Sequence, residues 1–219
     1  ATIKNKFKMI LFGPIKNIPF LYRIKLNIRS LKQFIYQSFL LIKSKSNITI
    51  VLNFIKHYFI NFKDDKDFIK KIYNDKTFDY DDWFTTKISI LTHYLNNYKL
   101  DHEINALEIG SFEGRSSVFF VNYFENINLT CVDTWKKSND EDDKKMQELI
   151  DFRLVERNFD NNIRLYSDKI KKYKGTSKEF FKNINPKNLD FIFIDGSHEY
   201  EDVIHDAISS FKSLKIDGF

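Results

Sequence analysis

The apolar positions change their period near residue 105, and that change divides the chain. Upstream, Leu21, Ile24, Ile28, Leu31 and Ile35 recur at spacings of three and four with Arg23, Lys25, Arg29 and Lys32 between them, which predicts a basic amphipathic helix. Apolar runs over residues 48–62 and at Phe68, Ile69, Ile72 and Tyr73 predict two further helices, set apart by the polar runs 43–47 and 63–67. Residues 1–80 therefore read as a helical N-terminal extension. Asp81 or Asp82 is placed to cap the next helix, which would carry Trp83, Phe84, Ile88, Leu91 and Leu95.

Downstream, short β-rich runs alternate with helical ones. Strands are predicted over 105–109, 129–133, 171–174 and 190–194, and helices over 116–124, 177–184 and 200–214, with another helical stretch somewhere within 140–165. Such alternation is the mark of an α/β fold, a parallel sheet with crossover helices. Thr176 and Glu179 have the spacing of a capping box, which fixes one helix start more firmly than the others. Residues 81–219 thus form a second domain. Gly110, Gly114, Gly175, Gly196 and Gly218 all stand at or just beyond the end of a predicted element. In open sheets of this kind the ligand lies outside the carboxyl ends of the strands, and three of these glycines fall there with Asp133.

Composition narrows the picture further. With 42% of 219 residues hydrophobic, the chain can bury a real core and is not a disordered tail. Its one cysteine, Cys131, sits in an apolar run and cannot form an internal disulfide, so a reducing setting such as the cytoplasm is expected. No apolar stretch reaches the roughly 18 to 20 residues that span a bilayer, and no secretory signal is visible. The chain also lacks a Met at position 1, which fits a fragment. Charge is uneven: residues 1–63 hold twelve Lys and Arg and no Asp or Glu, leaving 23 basic against 30 acidic residues beyond. This asymmetry suggests an anionic partner for the front segment. The apolar stripe of residues 20–43 favours a peripheral contact with anionic membrane over nucleic acid, because phosphate contacts do not need it. Packing of that stripe on the second domain is the competing reading.

Candidate chemistry gathers at the strand ends. Glu108-Ile-Gly110-Ser-Phe-Glu-Gly114 follows the first strand and opens a helix, where glycines admit a ligand to the backbone and the helix start offers N–H groups. The spacing is not the G-x-G-x-x-G of nicotinamide sites, and Glu113 at that turn would repel a pyrophosphate. Asp133 ends the second strand 25 residues after Glu108, where a carboxylate can accept from both hydroxyls of a ribose. Lys174-Gly-Thr-Ser177 offers small polar groups at the third strand, and Asp195-Gly-Ser-His198 brings a carboxylate and an imidazole to the fourth. Each motif alone also suits a plain structural role, as a tight turn or a helix cap.

Taken together, Ala106-Leu-Glu-Ile-Gly-Ser-Phe-Glu-Gly-Arg-Ser-Ser117, Cys131-Val-Asp-Thr-Trp135, Tyr173-Lys-Gly-Thr-Ser177 and Phe193-Ile-Asp-Gly-Ser-His-Glu-Tyr200 resemble a class I S-adenosylmethionine-dependent methyltransferase of the family-24 type, which includes sugar and natural-product O-methyltransferases. The resemblance covers about residues 82–219. It implies a Rossmann-like sheet and S-adenosylmethionine as methyl donor. It further implies that Glu108, Gly110, Ser111 and Gly114 line the donor's methionine and adenosyl side, that Asp133 with Thr134 holds the ribose, and that Ser177 lies near the adenine. Asp195 would face the methyl group and acceptor, and in metal-assisted members an Asp there shares a divalent cation, usually Mg²⁺. His198 would take the proton of a small-molecule or glycan hydroxyl, with Asp202 one turn away to orient its ring. Trp83, Phe84 and Trp135 are candidate walls, with aromatic core packing the stronger account for Phe84. His57, His93, His102 and His205 show no partner pattern. By the same resemblance the chain breaks off at Asp217-Gly-Phe219, before strand five, leaving the 191–194 strand with a bare side. A nicotinamide-dependent oxidoreductase and a non-catalytic cofactor-binding scaffold remain open as alternatives, and the oligomeric state is not legible.

Overall fold

The computed structural model describes residues 67–95, 102–137 and 147–219, so the basic helix and the run 48–62 lie outside the described residues. Residues 66–85 and 95–219 form one unit, and residues 86–94 belong to another. Helix α1 (Ile88–Leu95), which falls in the latter up to residue 94, follows a 3-10 turn at Thr85–Lys87. The sequence placed Trp83 and Phe84 inside that helix, but they precede it. Asp82 Oδ1 accepts the N–H groups of Phe84 at 3.1 Å and Thr85 at 2.8 Å, so of the two expected caps Asp82 leads into the 3-10 turn and the helix behind it.

The larger unit is built on four parallel strands, β1 (Ile104–Ile109), β2 (Ile127–Asp133), β3 (Ile170–Lys174) and β4 (Phe191–Ile194), in the order β3-β2-β1-β4. Between and after them run α2 (Arg115–Tyr123), α3 (Phe152–Ile163), α4 (Ser177–Asn183) and α5 (Tyr200–Ser213). Every strand and helix expected after residue 105 is present. The α4 start carries the full capping box, Thr176 with Glu179. The segment 67–73 is helical as predicted, and it belongs to the sheet unit.

Side chains alternate across the sheet with the period of two that strands impose. Leu107, Ile109 and Val132 point to one face and pack with Phe180, Phe181 and Leu189. The other face carries Phe191 and Phe193, whose rings lie 4.9 and 5.2 Å from that of Phe120 on α2. Phe84 joins them, 5.4 Å from Phe119 and 6.0 Å from Phe193. Rings of this size each contribute about 1.5 to 3 kcal/mol when buried, so this aromatic layer is what fastens α2 to the strands. On the far side α5 turns Asp206, Ser210 and Ser213 inward and leaves Val203, Ile204, Ile208 and Phe211 exposed.

The bare side expected on β4 is partly met. Ile192 donates to the carbonyl of Phe219 at 2.8 Å, Phe219 donates to Asp190 O at 3.0 Å, and Lys215 donates to Leu189 O at 2.8 Å. Residues 214–219 thus run beside the first half of β4, and Ile194 at its end stays 42% exposed. The chain proceeds outward from β1 through β2 to β3 and then returns to the opposite flank of β1. Strand order therefore reverses between β1 and β4, the place where such sheets open a crevice.

Candidate functional site

Gly110 and Asp195 meet at this reversal. Asp195 donates its backbone N–H to Ile109 O at 2.8 Å, and Gly110 donates to Val132 O at 2.9 Å, so the turn after β1 is stitched to both neighbours. Gly110 has φ +89°, and a Cβ there would stand 2.2 Å from the carbonyl oxygen of Asp195. Only glycine permits that approach. Gly114, at φ 79°, is the N-cap of α2 and brings no side-chain cap to it.

Behind the turn lies a buried polar cluster. Glu108 pairs in register with Cys131, so both face α2, and the Ser117 hydroxyl and the Cys131 thiol donate to Glu108 Oε2. Glu108 is 0% exposed. Its Oε1 and the Ser111 hydroxyl are buried without a hydrogen-bond partner. Burial raises the Glu108 carboxyl above its ordinary range, against the pull of the Ser116 and Ser117 hydroxyls, and lifts the Cys131 thiol well up. A neutral acid group can be both donor and acceptor, which suits a site with spare polar atoms.

Asp133 lies beside the same turn. Its Oδ2 accepts from Phe112 N at 2.9 Å and its Oδ1 from Trp135 N at 2.7 Å. Burial raises its carboxyl, and the N–H groups of Phe112 and Trp135 hold it down in part. Phe112 and Trp135 both have positive φ, 48° and 46°, a costly backbone that clusters where a fold must present a site. Thr134 is half-buried and its hydroxyl accepts from Lys136 N at 3.2 Å. Gly175 donates to Asp133 O at 2.9 Å, which brings the β3 loop and Ser177, the first residue of α4, to the same rim.

Asp195 and His198 lie in the exposed loop between β4 and α5. The Asp202 carboxylate, read as the partner of His198, forms an ion pair with Lys178 at 2.7 Å, and that ammonium is what lowers its pKa. Among the described residues no three His, Cys, Asp or Glu side chains form a group able to hold a metal ion. Two of the histidines without a partner pattern in the sequence stand beside carboxylates: His102 Nε2 lies 3.1 Å from Asp190 Oδ1, and His205 Nδ1 lies 3.3 Å from Asp206 Oδ1. Two of the aromatic wall candidates, Phe84 and Trp135, are buried in the core, whereas Trp83 is 36% exposed.

Glu113 departs most from its reading. It turns away from the ligand side and accepts from the backbone N–H of Asp79 at 2.8 Å and of Tyr80 at 3.2 Å, and from Asn158 Nδ2 at 2.7 Å. Repulsion of phosphates by its side chain is therefore not an argument at this turn. Asn158 and Asn162 were missed altogether. The signal available was their spacing of four on the same helix face as Val155 and Phe159, where two amides among apolar residues imply buried partners.

The model of the family described as methyltransferase domain, family 24, matches residues 107–219. Among solved structures, the chain is similar to precorrin-6y C5,15-methyltransferase of Geobacter metallireducens at 15% identity, over 66% of this chain and 65% of that one, with a TM-score of 0.45. A Staphylococcus aureus protein assigned as a caffeoyl-CoA O-methyltransferase is 18% identical over 85% of this chain and 70% of that one, with a TM-score of 0.44. A Pyrococcus horikoshii protein assigned as an RNA methyltransferase is 12% identical over 68% of each chain, also at 0.44. The chain thus spans just under two thirds of the first of these. No curated protein matches it.

Proposed function

Given that the chain belongs to the methyltransferase domain family, we propose that it transfers the methyl group of S-adenosylmethionine to a hydroxyl of a small-molecule or glycan acceptor. The observation that carries this reading is the junction of Gly110, Asp133 and Asp195 at the strand-order reversal, with buried polar atoms of Glu108 and Ser111 left unpartnered beside it. A donor with ribose hydroxyls and an ammonium group suits those atoms. When bound, S-adenosylmethionine supplies a methyl carbon on a positively charged sulfur, open to in-line displacement by an acceptor oxygen.

The chain's own residues bind and orient. Asp133 accepts from the ribose, its two oxygens already aimed by the N–H groups of Phe112 and Trp135. Gly110, Ser111 and Gly114 let the donor lie against backbone, Thr134 flanks the ribose and Ser177 the adenine edge. Glu108 steadies the turn from behind through Ser117. Asp195 stands on the acceptor side, and His198 takes the hydroxyl proton as the new carbon–oxygen bond forms. Proximity and exclusion of water supply the remainder of the acceleration. A cation such as Mg²⁺ would need further oxygen ligands beside Asp195, and no step is assigned to one.

For the front segment, the interleaved basic and apolar positions of residues 20–43 support peripheral attachment at an anionic membrane face, which would bring a lipid-linked or envelope-glycan acceptor within reach. Among the described residues no helix is long and apolar enough to cross a membrane.

Calorimetry with S-adenosylhomocysteine, followed by methyl transfer to a panel of hydroxyl and amine acceptors, tests the assignment. Binding plus transfer to a hydroxyl, with turnover down by roughly 10² to 10⁴ in His198→Ala, is expected. Binding of NADH in place of S-adenosylhomocysteine would overturn it in favour of an oxidoreductase, and cofactor binding without any turnover would favour a scaffold.

A further inference from the structure

The two residues that flank Gly114 both reach away from the donor side and grip the same upstream segment. Glu113, 2% exposed, takes the N–H groups of Asp79 and Tyr80, and its own carbonyl accepts from Asn162 Nδ2 at 2.9 Å. Asn162 in turn closes a two-way bond with Thr77, accepting its N–H at 2.8 Å and donating to its carbonyl at 2.8 Å. Asn158 Nδ2 bridges Glu113 to Asp79 Oδ2 at 3.0 Å. On the other flank, Arg115 pairs with Asp82 at 3.5 Å and lies 3.9 Å over the ring of Phe78. The Tyr80 hydroxyl accepts from Asp151 N, the cap of α3, at 2.8 Å.

These bonds leave residues 77–84 little freedom, and they aim it. Tyr80 and Trp83 both meet Phe112, at 5.8 and 5.2 Å between ring centres, while Phe84 is sunk beside Phe193 of β4. Phe112 is one of the two residues that donate to Asp133, and Phe193 lies two residues before Asp195. Trp83 is thereby held against Phe112 in the turn after β1, with a third of its surface open. A buried carboxylate spent on two backbone amides of a distant segment is an expensive device for a surface loop, and it sits inside the turn that meets the ligand.

We propose that residues 77–84 are a strap fastened to the donor-binding turn by the positioning residues Glu113 and Arg115, and that Trp83 is the wall it presents to the bound donor. The inference rests on the methyltransferase reading. Because the strap hangs from the same turn that the donor contacts, strap order and donor affinity are coupled.

The test follows indole emission of the full chain, which has two tryptophans, during titration with S-adenosylhomocysteine, with affinity measured in parallel by calorimetry. Binding should shift the emission, and Trp83→Phe should abolish the shift while Trp135 remains. Glu113→Gln, which opposes an amide to two N–H donors, should weaken S-adenosylhomocysteine about tenfold, equivalent to about 1.4 kcal/mol, and lose the shift. A merely structural Glu113 would lower the melting temperature and leave both readouts unchanged, overturning the proposal. If Glu113→Gln does not fold, Asp82→Asn, which releases Arg115, serves the same comparison with the same expectation. An emission shift that survives Trp83→Phe overturns the strap alone, whereas wild-type protein that ignores S-adenosylhomocysteine removes the donor assignment and the strap with it.

Discussion

Trp135 donates its indole N–H to the carbonyl oxygen of Phe112 at 2.9 Å, tying the turn after β1 to the turn after β2. The two residues share left-handed backbones and one acceptor, since both give their main-chain N–H to Asp133. A non-glycine residue in that conformation costs on the order of 1 to 3 kcal/mol. Asp133 offsets it with charge-assisted bonds, and Trp135 adds burial against Phe159, 4.8 Å away. The carboxylate proposed to hold the donor's ribose is therefore also the pin of the turns around it.

Replacing that pin should affect binding and folding together. Asp133→Ala is expected to weaken S-adenosylhomocysteine by roughly 1.5 to 3 kcal/mol, the range for bonds to a charged group, and to lower the melting temperature because two N–H groups lose their acceptor. Asp133→Asn keeps one carbonyl oxygen and should fall between. Calorimetry on protein with a native circular dichroism spectrum decides, and unchanged affinity in Asp133→Ala would remove the ribose assignment.

At Gly110 the expected damage is to the sheet itself. The nearest atoms to an added Cβ are all backbone, Asp195 O at 2.2 Å, Asp195 C at 2.5 Å and Gly196 Cα at 2.7 Å, so no side chain can swing aside. The positive φ adds strain. Gly110→Ala should cost at least about 3 kcal/mol in urea unfolding and abolish donor binding. A normal unfolding midpoint for that variant would show that β1 and β4 can part there without penalty.

Why the strands were legible and the strap was not follows from where the information lies. Runs such as Leu107 to Ile109 and Phe191 to Ile194 declare themselves by local period and by the glycine after them, and the Thr176 and Glu179 pair declares a helix start within four residues. Glu113 binds amides 33 and 34 residues upstream, Asn162 binds Thr77 across 85 residues, and His102 meets Asp190 across 88. No local pattern encodes such pairs. The place of Glu113 in the turn says where its backbone goes but not where its carboxylate points. Asp82, one of the two expected caps, does accept the N–H groups of Phe84 and Thr85 as a helix cap would, but regular helix starts only beyond Trp83 and Phe84, with the 3-10 turn at Thr85–Lys87.

Glu108 should make stability fall as pH rises. Burial raises its carboxyl above the ordinary 4.5, so between 4.5 and the raised value the folded protein binds more protons than the unfolded chain. Stability from this group is then fully present below 4.5 and is lost as pH passes through the folded value. Glu108→Gln is neutral at every pH and escapes that loss, while Asp133, raised for the same reason, is common to both proteins and cancels. The melting-temperature difference between Glu108→Gln and wild type should therefore move in favour of the variant from pH 5 to pH 8. A difference that stays flat over that range would mean that Glu108 is ionised in the fold throughout.

The basic front segment sets the last expectation. Twelve Lys and Arg with no acid before Asp64 make contact with an anionic surface favourable by up to about 1 kcal/mol for each charge that reaches it. In the helix that the sequence predicts there, Leu21, Ile24, Ile28, Leu31 and Ile35 would share an apolar face able to enter the headgroup boundary. Charge alone would give attachment that salt abolishes, and apolar burial alone would give attachment indifferent to lipid charge. Both together predict co-sedimentation of the full chain with vesicles containing phosphatidylglycerol but not with purely zwitterionic ones. Attachment should weaken from 0.1 to 1 M salt as the screening length shrinks from about 10 to 3 Å, and it should be lost when Ile24→Asp and Ile28→Asp are combined in a protein that still folds. The competing role of the stripe, packing against the catalytic domain, gives the opposite pair of results. In that case the wild-type chain ignores anionic vesicles at low salt, and the double substitution unfolds it because two carboxylates are forced into an apolar contact.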